Sequence, residues 1–179
     1  MIVEERTLSS EMIYKGAILN LRRDKVTVKE GRTSYREIVE HDGGVVMLGV
    51  TEDGRIPMVR QYRKPTEATG GVCFELPAGK LEKGEDPLEA AKREMKEETG
   101  YTADRWEHVC SFYPTVGYSE ELLHIYFASG LTAGETDFDE NESIDLVLST
   151  PQELYGMIDR KEMSDGKTLI ALLLYRLRA

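Results

Sequence analysis

Apolar and polar residues alternate over most of the chain in short, strand-length runs, and switch to helical spacing in three places. DKVTVKE (24–30) alternates, Gly31–Arg32 offers a turn, and TSYREIVEH (33–41) alternates again, so residues 24–41 read as a hairpin. MIYKGAILNLRRD (12–24) ahead of it predicts a further strand pair or edge strand. These early strands carry few apolar residues, and a small sheet needs a partner surface. The segment is therefore a candidate for dimer contacts, the alternative being a sheet packed on its own subunit. Beyond the turn Asp42–Gly43–Gly44, GVVMLGVT (44–51) is apolar enough for a central strand, and DGR turns the chain into IPMVRQYR (56–63). Pro57 lies near the start of that strand, where a missing donor is tolerated. KPTEATGG reads as a loop and VCFELPAG as a strand; RWEHVCSFY and ELLHIYFASG are strands joined by PTVGYSE. The polar stretch GETDFDENE leads into the strand SIDLVLS; Pro151 then opens a short helix through about Arg160, and TLIALLLYRLR forms an apolar C-terminal helix. The order is β-rich, helix, β-rich, helix, helix, with no internal repeat, which predicts a mixed sheet covered by helices on both sides.

The helix between the β-rich halves is the most sharply specified element. In GKLEKGEDPLEAAKREMKEETGY (79–101), Asp86 is a good N-cap, Pro87 suits the first helical position, and Glu89 sits where a capping-box carboxylate belongs. Gly100 supplies a left-handed stop. Steps of three and four residues place Glu94, Glu97 and Glu98 on one face, beside an apolar stripe of Leu88, Ala91 and Met95. Gathered carboxylates repel one another, so such a face implies a cation between them. An all-oxygen donor set favours magnesium or manganese over zinc. By composition alone, KREMKEE reads first as a solvated, charge-rich helix.

Composition narrows the picture. A chain of 179 residues predicts one domain with an elaboration, and a net charge of −10 argues against a nucleic-acid backbone as the main partner. An anionic small molecule stays possible, because metal ions and a few arginines can invert the local sign. Cys73 and Cys110 have no CxxC spacing, which argues against a disulfide framework or zinc site and for a reducing compartment. MIVEERTLSS lacks a signal-like pattern and no apolar run has membrane-spanning length, so a cytoplasmic protein without membrane partners is expected. The three histidines show no ligand spacing, and Trp106 and the C-terminal leucines read as core.

The fixed spacings in 79–101 carry more than a helix. Gly79, Glu85, Arg93, Glu94, Met95, Glu97, Glu98 and Gly100 resemble the Nudix box position by position; only Tyr101, in place of an aliphatic residue, departs. The resemblance implies an α/β/α sandwich with a mixed sheet, plus an N-terminal antiparallel β segment, divided as residues 1–42 (dimerisation) and 43–179 (Nudix hydrolase domain). It implies metal ligation by the Ala78 carbonyl, Glu94 and Glu98, with Glu97 close by as ligand or catalytic support, and structural roles for Gly79, Glu85, Arg93 and Gly100.

VRQYRKP ahead of the box, the acidic loop Asp139-Glu140-Asn141-Glu142 and the N-terminal β segment further resemble the ADP-ribose pyrophosphatase branch. In that likeness Arg63 meets the diphosphate, Glu140 is the catalytic base, Glu142 is a further metal ligand, and Arg36, Glu37 and Glu121 contact substrate in a homodimer. Val116-Gly117 stands where the branch has Pro-Gly, which loosens the substrate assignment. The implied activity is Mg2+-dependent hydrolysis of the pyrophosphate of ADP-ribose, to AMP and ribose 5-phosphate, or of a similar nucleoside diphosphate sugar, with Mn2+ as a possible substitute. Alternatives are the same chemistry on another nucleotide, or a Nudix module that senses a nucleotide without cleaving it.

Overall fold

The structure, a computed structural model, describes residues 2–137 and 143–178. The chain forms two compact units: residues 1–43 with 113–122, and residues 44–112 with 123–179.

In the first unit, β1 (Thr7–Lys15), β2 (Asn20–Thr27) and β3 (Thr33–Glu40) make an antiparallel sheet in that order. The β2–β3 turn falls at Glu30 and Gly31, both with positive φ, where the sequence places its hairpin. Every residue of β1 is exposed, Leu8, Met12, Ile13 and Tyr14 among them. The segment 113–122 docks on β3 through its backbone: Val39 N–H donates to Tyr118 O at 2.7 Å and Glu120 N–H donates to Val39 O at 2.9 Å. Arg22 completes the attachment, its guanidinium donating to Asp24, Glu40 and Glu120 at 3.2, 2.6 and 2.6 Å.

The second unit is built around β4 (Gly44–Val50). Strand β4 pairs in parallel with β9 (Leu123–Thr132) and antiparallel with β7 (Ala78–Lys80), while β8 (Thr102–Phe112) closes the four-stranded sheet beside β9. A second antiparallel sheet orders β10 (Ile144–Ser149), β5 (Ile56–Tyr62) and β6 (Val72–Glu75). Period-2 alternation in an all-apolar strand buries both faces. Val45 and Met47 pack with Ala90, Ala91 and Met95 of α1 (Pro87–Thr99). Val46 and Leu48 pack on the opposite side with Ile56, Met58 and Leu76, and with Leu154 and Leu172 of α2 (Pro151–Asp159) and α3 (Gly166–Arg176). The result is the expected α/β/α arrangement.

Several details differ from the sequence reading: VCFELPAG, read as one strand, divides into β6 and β7 of different sheets, and the Glu89 carboxylate pairs with Lys92 instead of closing a capping box. Leu173 and Leu177 are exposed, so the C-terminal helix is apolar beyond its buried face. The stretch read as loop after Arg63 coils into a 3-10 turn over Lys64–Thr69. Among the described residues, no helix is long and apolar enough to cross a membrane.

Candidate active site

Helix α1 starts and stops on its own residues. Asp86 accepts hydrogen bonds from the N–H groups of Leu88 and Glu89 at 2.9 and 3.3 Å, Pro87 opens the first turn, and Gly100 ends it at φ 73°. Glu89 pairs with Lys92 at 2.7 Å. With Ala90, Ala91 and Met95 turned inward, Glu94 and Glu98 fall against the strand segment that precedes the helix.

That segment, Glu75 to Gly79, is held residue by residue. The carboxylate of Glu75 accepts a two-pronged bond from Arg63, with Nε at 2.8 Å and Nη2 at 3.1 Å, and pairs with Lys167. Leu76 N–H donates to Thr168 Oγ1 at 2.8 Å, and Pro77 O accepts from Met47 N–H at 3.0 Å. Ala78 N–H donates to Glu98 Oε2 at 3.0 Å, and Glu98 is only 5% exposed. Gly79 has ordinary backbone angles among the described residues, and its need is for space: a Cβ there would fall on the carboxyl group of Glu94. Gly100, by contrast, is a glycine for its left-handed backbone.

Arg93 organises the acidic side. Its Nε and Nη2 grip Glu85 at 3.0 and 3.1 Å, while Nη1 donates to Glu94 at 2.8 Å and Glu97 at 3.0 Å. Glu85 in turn accepts from Glu82 N–H at 2.9 Å, tying the loop before the helix to the same guanidinium. The bonds from Arg93 hold the Glu85 carboxyl below its usual range, and those from Glu85 and Glu94 push the Arg93 guanidinium further up, against its partial burial. One arginine thus bridges three carboxylates and keeps a dense acidic face together.

Of the residues assigned from sequence, Arg63, Ala78, Gly79, Glu85, Arg93, Glu94, Glu97, Glu98 and Gly100 lie in the second unit. Arg36, Glu37 and Glu121 lie in the first unit. There Arg36 donates to Glu5, by Nε at 2.9 Å, and to the Tyr35 carbonyl at 2.8 Å. Tyr113, Val116 and Tyr118 are exposed on the 113–122 segment. Glu140 and Glu142 lie outside the described residues.

Two groupings escape a reading by spacing. Glu75 and Lys167 are 92 residues apart in sequence and in contact; the available signal is an acidic residue at an inward position of an otherwise apolar strand. The β8–β9 register also lines up His108, Ser111 and His124, with the serine hydroxyl 2.9 and 2.8 Å from the two rings. Burial, and then the neighbouring His108, push the His124 imidazole down.

Residues 40–172 match the NUDIX domain, which covers most of the chain. The chain belongs to the Nudix family. Residues 5–39 of this Nudix protein match the nucleoside diphosphate sugar hydrolase N-terminal domain. It is 43% identical to the methanol dehydrogenase activator of Bacillus methanolicus, over 96% of this chain and 92% of that protein. It is 40% identical to the ADP-ribose pyrophosphatase of Bacillus subtilis (strain 168), over 95% of this chain and 91% of that one. A GDP-mannose pyrophosphatase of Yersinia enterocolitica is 28% identical, over 96% of this chain and 95% of its own. A crystal structure of an ADP compounds hydrolase superposes with TM-score 0.83 at 19% identity, covering 98% of this chain and 94% of that one, and shows the fold.

Nudix hydrolases generally depend on a divalent metal ion. The donor set of this Nudix helix fits one: Glu94, Glu97, Glu98 and the carbonyl of Ala78 offer oxygen only, which suits a small hard cation that keeps several of its waters. Among the described residues, no three acidic, histidine or cysteine side chains already converge as a complete metal cage. Glu94 and Glu97 are instead turned to Arg93.

Proposed function

We propose that this Nudix protein hydrolyses the pyrophosphate of ADP-ribose to AMP and ribose 5-phosphate, or that of a closely similar nucleoside diphosphate sugar, with Mg2+ bound at Glu94, Glu98 and the Ala78 carbonyl. The observation that carries the reading is the placement of Glu98 and Glu94 against the backbone of Ala78 and Gly79, with Arg63 anchored on the same segment three residues earlier. A divalent cation bound there neutralises pyrophosphate oxygens, orients the bond to be cleaved, and acidifies the attacking water.

The chain's own side chains do the remaining work. Arg63 offers a planar cation to a diphosphate, a better match than an ammonium for paired oxygens. Arg93 keeps the carboxylates gathered, and Glu97, at the rim of the cluster, supports the ligand pair. Glu140 is assigned the proton from water and Glu142 a further metal contact, while Arg36, Glu37 and Glu121 are assigned to the nucleoside and sugar. Similarity to ADP-ribose pyrophosphatases along almost the whole chain supports this substrate, and the relation to GDP-mannose pyrophosphatases supports the wider class.

We further assign a homodimer, supported by the exposed Leu8, Met12, Ile13 and Tyr14 of β1, and a cytoplasmic location, supported by two free cysteines. Light scattering after size exclusion tests the first; a monomer overturns it.

The decisive experiment offers ADP-ribose, ADP-glucose, GDP-mannose, diadenosine polyphosphates and 8-oxo-dGTP, with and without Mg2+. Mg2+-dependent AMP release chiefly from ADP-ribose is the expected result. Preference for another compound keeps the chemistry and assigns the choice of substrate to the Val116-Gly117 loop. Tight nucleotide binding with no cleavage overturns the proposal in favour of a sensor.

A further inference from the structure

Strand β6 alternates exposed and inward positions, and Glu75 takes an inward one, where it is 2% exposed. A charge removed from water is destabilising unless it is well paired, and a well-packed apolar residue at such a place is commonly as stabilising as the pair. Stability therefore gives no reason for a carboxylate here, whereas direction does. Glu75 grips Nε and Nη2 of Arg63 at 2.8 and 3.1 Å. Because the guanidinium is planar, fixing two of its nitrogens sets the direction of the third.

The backbone of Arg63 is equally constrained. Its N–H donates to Gly71 O at 2.7 Å, and its carbonyl accepts from Thr66 N–H at 2.8 Å and Thr66 Oγ1 at 2.9 Å. The far side of Glu75 is held by Lys167, which also pairs with Asp165 at 3.0 Å. Asp165 is the N-cap of α3, accepting from Thr168 N–H at 3.0 Å, and the Thr168 hydroxyl accepts from Leu76 N–H at 2.8 Å. One cluster thus joins the start of α3, the strand that leads to Ala78, and the side chain of Arg63.

We infer that Glu75, braced by Lys167, is a positioning residue that aims Arg63 at the substrate diphosphate. This rests on the reading of Arg63 as the diphosphate contact. Arg63 remains 42% exposed, so one side of its guanidinium is open to a ligand while the other is locked on a buried carboxylate. Burial pushes Arg63 down, but the bond and charge of Glu75, followed by the charge of Glu98, carry it above its ordinary value. The arginine is thus electrostatically coupled to the carboxylate that abuts Ala78. Loss of Glu75 would leave Arg63 charged and present but free to swing toward the acidic face and away from an incoming diphosphate.

The test is steady-state hydrolysis of ADP-ribose with Mg2+ by Glu75→Gln, Arg63→Ala and the double variant, with thermal unfolding of each. Glu75→Gln is expected to raise KM about tenfold, the size of a lost charge-assisted contact, with kcat within about threefold. Arg63→Ala should raise KM at least as far, and the double variant should equal Arg63→Ala, because Glu75 acts only through that side chain. A Glu75→Gln enzyme with unchanged KM, or a double variant whose effect is the product of the singles, overturns the inference even while the hydrolase reading stands. An unchanged KM in Arg63→Ala overturns the Arg63 assignment itself and the inference with it. Should Glu75→Gln not fold, Glu75→Met/Lys167→Met removes both charges in favour of apolar volume. The same rise in KM at undiminished melting temperature is then expected, and an unchanged KM is refutation.

Discussion

Replacing Gly79 by alanine separates stability from function at this site. The added methyl group would overlap the carboxyl carbon and both oxygens of Glu94, a contact no side chain tolerates. The obstacle is the end of a flexible side chain, not backbone, so Glu94 swings away and the fold survives. The stability lost includes the Arg93–Glu94 pair, 2.8 Å apart and partly exposed, worth about 0.2–1 kcal/mol. In a protein of 179 residues that lowers the melting temperature by about 0.4–4 °C. The functional loss is far larger, because Glu94 is a proposed ligand and a displacement of about 1 Å in a reacting assembly costs on the order of 10²-fold in rate. The assay is AMP release across a Mg2+ titration beside thermal unfolding of the same preparation. A Gly79→Ala enzyme with normal rate and Mg2+ dependence would refute the argument that Glu94 must lie over that α-carbon. A collapse in melting temperature would equally refute it, by showing that the glycine serves the fold.

Glu98→Gln should fold and lose most turnover, since it removes a proposed ligand charge; near-normal activity in a well-folded variant sinks the metal assignment. Glu140→Gln should lower kcat more than it alters KM if Glu140 is the base, whereas a rise in KM alone makes it a binding residue. Acid should weaken the fold at Glu75: burial pushes its carboxyl up, but the bond from Arg63 and the charge of Lys167 outweigh it and hold it below its ordinary value. A lowered folded value contributes stability that is full above the ordinary glutamate pKa of about 4.3 and is lost as pH falls through the folded value, so Glu75→Gln should flatten the fall in melting temperature below about pH 4.3. Parallel slopes for the two proteins would contradict this. Deletion of residues 1–41 removes Arg22 and Val39, the partners of 113–122, and should give an insoluble or monomeric product; an active, soluble dimer would contradict it.

What the sequence makes legible is what local chemistry writes. Asp86, Pro87 and Gly100 delimit α1 because capping groups act on backbone within a few residues of themselves. Val45 to Leu48 announce a strand buried on both faces because no polar residue interrupts them. The glutamate cluster is legible for the same reason: helical steps decide which side chains share a face. Partners brought in from distant segments are not written this way. That Glu75 meets Lys167, or that Arg22 meets Glu120, depends on how strands and helices stack, and periodicity names a face without naming what covers it. Gly79 is an intermediate case, since its position is legible from the box while its reason, room for a carboxylate, requires the packed helix.

The attachment of residues 113–122 to β3 also bears on recombination. The segment is encoded between two strands of the second unit, yet its backbone partners and its ion pair with Arg22 belong to the first. A hybrid gene spliced once near residue 43 would combine a foreign docking strand with a native loop, keeping the backbone bonds at position 39 for any non-proline residue but losing the Arg22–Glu120 ion pair wherever the donor lacks an arginine at 22. The inheritable cassette is therefore discontinuous. Shuffled libraries that exchange residues 1–43 and 113–122 together should yield more folded members than those that exchange either alone.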